Sequence, residues 1–95
     1  MKITFPNFKG NSTDFMRRLG YAFDRNVGSE QSFMRRLTGY DYPRFHAYTQ
    51  TTGNNFIINL HLDQKKPSYA GAGHAHGGEY DGKLIEAEIK RISSF

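Results

Sequence analysis

Between Arg44 and Asp63 apolar and polar side chains alternate on both sides of a Thr-Thr-Gly-Asn turn signal. Nothing else in the chain restricts the fold as tightly. Such a pattern closes as an antiparallel hairpin and decides which side chains share a face. Strands are expected at 44–49 and 55–63, and with a two-residue loop the paired positions sum to 105 or 107. Either register puts Arg44, His46 and Tyr48 on one face with Ile57, Asn59, His61 and Asp63. The other face is Phe45, Ala47, Thr49, Phe56, Ile58, Leu60 and Leu62. That face is nearly all apolar and must meet a core, so the first is exposed or lines a site.

The flanking segments supply the rest of the fold. Ile3 to Phe8 reads as an extended arm, because Pro6 blocks a helix. Asn11 to Asp14 offers capping side chains ahead of a short helix in which Phe15, Met16 and Leu19 share a face and Gly20 is the stop. Residues 21–25 alternate as a strand, with Asn26 to Gln31 as the turn. Phe33 to Leu37 repeats the composition of residues 15–19 and suits helix or strand; the turn-like residues 38–43 favour strand. A long loop over 64–80 is followed by Asp81 as cap of a helix over 82–93, with Ile85, Ile89 and Ile92 as its stripe and Glu86–Lys90 as a favourable pair. The sum is one α+β domain over residues 1–95. Its antiparallel sheet has three or four strands, with two helices packed on one face in α-β-β-β-α order.

An aromatic core makes so small a domain feasible: eight Phe and six Tyr stand against no Trp. The absence of cysteine excludes disulfides and thiolate metal sites and fits a reducing cytoplasm. No apolar run is long enough for a signal peptide or a membrane span. Net charge is +4, and the first half of the chain carries eight Lys/Arg against four Asp/Glu, which favours anionic partners such as RNA. The same surplus also suits an ordinary solvated surface.

Residues 12–37 carry Leu19-Gly20-Tyr21, Arg25, Gly28-Ser29 and Phe33, and in these they resemble the HicA-type toxin family. Those are small RNA-cleaving proteins with a double-stranded-RNA-binding-domain-like α-β-β-β-α fold. The resemblance implies that topology and RNA as a partner. It does not bring the catalytic activity, since the family's histidine after Gly-Ser is replaced here by Glu30 and Gln31. The blocks PRFHAY, NLHLDQKKPSY and GEYDG are similar to small bacterial proteins of unknown function, which implies no activity.

Two constellations could carry chemistry. The hairpin sets His46 and His61 opposite or diagonal, with Asp63 along the same face, and His74, His76 and Glu79 follow on a glycine-rich loop. His46, His61, His74, His76 and Glu79 would be the donors of a Zn²⁺ or other divalent-metal site; without metal, His61 and His76 would act as acid and base with Asp63 or Glu79 orienting them, and the same histidines also suit a solvated or merely hydrogen-bonded role. No Ser or Cys lies at a spacing that announces a nucleophile, and Gly71 to Gly78 lacks the P-loop pattern. The second constellation is basic and aromatic: Arg17, Arg18, Arg35, Arg36, Arg44, Tyr48, Lys65 and Lys66 suit phosphates and unpaired bases. The leading expectation is therefore a domain binding RNA or another anionic ligand. A metal- or histidine-dependent phosphodiester hydrolase is the second, and a protein pairing through its sheet edge the third. Ligand identity and oligomeric state stay open.

Overall fold

In the computed structural model, described for residues 1–64 and 82–95, the chain is α+β. Strand β1 is Lys2–Phe5, helix α1 Ser12–Arg18, β2 Ala22–Val27, β3 Glu30–Arg36, β4 Arg44–Thr52, β5 Asn55–Asp63 and helix α2 Gly82–Ser93. The strands form one sheet in the order β1-β5-β4-β3-β2, and every neighbouring pair is antiparallel. The sheet thus has five strands rather than three or four, and the element order begins with a strand.

The extra strand comes from the arm. Lys2 to Phe5 pairs with Asn59 to Phe56, which puts Ile3 and Phe5 on the side of Ile58 and Phe56 and turns Lys2 and Thr4 to the other. Pro6 then takes the chain out of the ladder, since it has no N–H to donate. Residues 33–37 lie in β3 as far as Arg36. The turn expected over 26–31 shrinks to Gly28-Ser29, because Val27 pairs with Glu30 and both polar flanks continue as strand. The main hairpin closes in the 107 register, with Thr52 opposite Asn55 and Arg44 opposite Asp63. Gly28 and Gly53 each hold φ at +61°, a left-handed value at the first central position of a two-residue loop, where glycine costs least.

The apolar face is buried as the alternation requires: Phe33, Phe45, Ala47, Phe56, Ile58, Leu60 and Leu62 join Met16, Leu19, Tyr21 and Ile92 in one cluster. Aromatic rings dominate its β1 side, where Phe8 lies 4.9 Å from Phe56 and meets Phe15 edge-on at 5.4 Å. Asn11 caps α1 by accepting from the Asp14 N–H at 3.0 Å. On α2, Ile92 is buried and Ile85 and Ile89 pack partly against the cluster. Among the described residues no helix is long and apolar enough to cross a membrane.

Candidate functional site

Because directly paired residues point to the same side, register alone assembles the polar face. It carries Lys2 from β1; Asn59, His61 and Asp63 from β5; Arg44, His46 and Tyr48 from β4; Ser32, Met34 and Arg36 from β3. On β2 the register slips between Phe23 and Arg25, so Asp24 is the extra residue of a β-bulge and reaches Ser32 on the polar face.

A continuous chain of polar contacts crosses four strands. The Ser32 hydroxyl donates to Asp24 Oδ2 at 3.1 Å and meets His46 Nε2 at 2.5 Å. His46 Nδ1 lies 3.3 Å from Asp63 Oδ2, which Arg44 Nε approaches at 3.5 Å. With Nδ1–H given to Asp63, Nε2 of a neutral ring is an acceptor, so the single Ser32 proton has two acceptors. Burial opposes ionisation of Asp24, but hydrogen bonds from Arg25 and Ser32 outweigh it and hold the carboxyl below its ordinary range.

Serine, imidazole and carboxylate in that order match the roles of a nucleophile, its base and an orienting acid. Ser32 is only 1 % exposed, however, and shares its proton with Asp24. A reacting carbonyl or phosphorus could not reach it, so the chain of contacts acts as a cross-strand clamp that immobilises His46. Strand alternation alone could have put Ser32 on this face. Its pairing with His46 needed the β3–β4 register, and Asp24 needed the bulge.

Around the clamped imidazole lie two more rings. Tyr48 stacks on His46 with centroids 4.5 Å apart, and His61 meets Tyr48 edge-on at 5.7 Å. His46 and His61 are directly opposite each other. Desolvation is the main cause pushing the His61 pKa below 6.5, helped by the Met1 ammonium and opposed by Asp63, so this ring is neutral near pH 7. A groove of about 480 Å³ is lined by His46, Tyr48, His61 and Asp63 from the polar face and by Met1, Leu60, Leu62 and Ile85 beside them.

The expected basic set divides. Arg36 lies on the polar face, 58 % exposed, with Asp41 at 3.4 Å. Arg44 is held by Asp63 and lies over the Tyr42 ring at 4.4 Å. Arg35 turns to the opposite side, 3.6 Å from the buried Glu88. Arg17 and Arg18 are exposed on α1, with Arg18 over the Phe95 ring at 5.9 Å. Among the described residues the expected basic set is therefore split between the two sides of the sheet, and the polar face also carries the carboxylates Asp24, on the edge strand β2, and Asp63, at the end of β5. Lys65, Lys66, His74, His76, Glu79 and the Asp81 cap lie outside the described residues. Among the described residues no three His, Cys, Asp or Glu are placed to hold a metal ion. Compared with models of known families, with curated proteins and with solved structures, the chain matches none.

Proposed function

We propose that this protein binds RNA with unpaired bases across the polar face of its sheet. The observation that carries the reading is the cluster of Tyr48, His46 and His61 rings on the neighbouring strands β4 and β5, beside an open groove. Bases stack on such rings, while phosphates go to flanking cations. Lys2, Arg25 and Arg36 stand at the margins of the face, and Arg25 is 71 % exposed. The carboxylates Asp24, on the edge strand β2, and Asp63, at the end of β5, disfavour a phosphate beside them and favour an uncharged base there. The reading takes both helices to lie behind the sheet, because Met16 and Ile92 share one buried cluster with the apolar strand residues. The resemblance of residues 12–37 to HicA-type proteins points to the same partner.

Fluorescence anisotropy with a labelled mixed-sequence RNA decamer tests it. Binding is expected at low salt, and Tyr48→Ala should weaken it about five- to hundredfold, the loss of one stacked base. No binding at low salt, or an unchanged affinity in Tyr48→Ala with an intact circular-dichroism spectrum, would overturn the reading.

The exposed, neutral His61 favours a second reading, RNA cleavage with this imidazole as general base. It would take the proton of a ribose 2′-hydroxyl, the 2′-oxygen would attack the adjacent phosphorus, and the departing 5′-oxygen would take a proton from water. The product is a 2′,3′-cyclic phosphate. Cleaved RNA with such ends, uncut DNA of the same sequence and an inactive His61→Ala would support it; intact RNA after long incubation would dismiss it.

A further inference from the structure

Asp63 presents its carboxylate to the groove, one-third exposed, at the point where β5 leaves the sheet. Both of its contacts, His46 Nδ1 at 3.3 Å and Arg44 Nε at 3.5 Å, fall on Oδ2. Among the described residues none falls on Oδ1. An ionised carboxylate accepts hydrogen bonds and donates none. Whatever sits against Oδ1 must therefore present N–H or O–H donors to it and turn no lone pair towards it.

Among the four RNA bases only guanine offers two neighbouring donors, N1–H and the N2 amino group, on its Watson–Crick edge. Adenine, cytosine and uracil each set an acceptor beside a donor there, and that acceptor would face the carboxylate. His61 stands two residues back on the same strand, about 7 Å away at a rise of about 3.4 Å per residue. Its ring N–H is within reach of the guanine O6, at the other end of the same edge. Tyr48, opposite Asn59 and edge-on to His61 at 5.7 Å, supplies a stacking surface on the side of His61 away from Asp63. The groove, about 480 Å³, is of a size that holds a small planar ligand, for which about 300–1,000 Å³ is usual.

We propose that this groove selects an unpaired guanine, with Asp63 reading its N1–H and N2–H donors and His61 its O6. The inference rests on the RNA reading above and adds base identity to it. Asp63 is then the residue that sets specificity, and Arg44 and His46 are positioning residues that fix its carboxylate.

The test uses the full chain and four uracil-rich RNA nonamers that differ only at the central base, which is G, A, C or U. The G nonamer should bind at least tenfold more tightly than the other three. Asp63→Asn, whose amide adds a donor where the carboxylate accepts, should remove that preference, read as the ratio of the G affinity to the A, C and U affinities measured in the same variant. In the unaltered protein, amide shifts of Tyr48, His61 and Asp63 should move with the G nonamer well before they move with the U nonamer. That measurement keeps the test independent of how the variant folds. Equal binding of all four nonamers overturns the guanine inference and leaves the RNA reading standing. Binding of none overturns both. A preference for G that persists in a folded Asp63→Asn shows that another residue reads the base, and overturns the assignment.

Discussion

Glu88 shows how much a single residue can anchor in a small domain. It is 4 % exposed and accepts from the Tyr21 hydroxyl at 2.6 Å and from Arg91 at 2.8 and 2.9 Å. Arg91 also donates to the Leu19 carbonyl at 2.6 Å, which fastens α2 to the end of α1. Burial pushes the Glu88 carboxyl up, but the Arg91 and Tyr21 hydrogen bonds outweigh it, and the pKa lies below the ordinary 4.5. The unfolded chain therefore takes up this proton first as pH falls. Glu88 stabilises the fold fully above about 4.5, and the contribution is lost as pH falls through the lower folded value. Glu88→Gln should cost about 1–3 kcal/mol near neutral pH, the range for a lost charge-assisted hydrogen bond. It should also flatten the acid limb of the stability curve. Urea unfolding near pH 7 and near pH 4 measures both, and an acid limb as steep as that of the unaltered protein would contradict the account.

The same residue marks what a sequence can disclose. A glutamate on a helix reads as solvated, yet 85, 88, 89 and 92 follow the i, i+3, i+4, i+7 spacing of one face, so Glu88 completes the isoleucine stripe. That spacing was the available signal. Alternation places Ser32 on the polar face but not against His46, and Asp24 carries no signal at all, because their roles depend on a register and a bulge set by pairing between strands.

At the scale of elements, two tight turns determine what the faces contain. The hairpin of β4 and β5 was legible because one apolar face and a two-residue loop leave only registers of the same parity. The β2–β3 hairpin was less so. Its strands carry Asn26, Glu30 and Gln31, which suggest a loop, but β2 is an edge strand with little to bury and tolerates them. In the sequence the fifth strand, β1, is only an extended arm, since four residues of alternation do not say which edge they join. Both turns need a left-handed first residue. Gly53→Ala should therefore cost about 1–2 kcal/mol. Gly53→Asn should cost less, because asparagine tolerates that conformation better. Denaturant midpoints of the two variants decide the matter; equal losses would mean that lost turn geometry is not the cause.

At the scale of the whole molecule the question is where the positive charge acts. A surplus of +4 could serve solubility alone, and the cations are spread over both sides of the structure. If RNA lies on the polar face, Lys2, Arg25 and Arg36 neutralise phosphates, while Arg17 and Arg18 on α1 do not. Three phosphate contacts on a single strand give a slope of about −2 for log affinity against log salt. Exchanging Arg25 and Arg36 for glutamate should cut the affinity and bring the slope towards zero, because the counterions those phosphates held would no longer be released. Exchanging Arg17 and Arg18 for glutamate changes net charge by the same amount from the helix. It should lower affinity only slightly and leave the slope near −2, a difference that net charge alone cannot produce. Anisotropy titrations at four salt concentrations compare the two double variants directly. A helix pair that lowers the slope as much as the sheet pair would place the RNA elsewhere and remove the polar face from consideration.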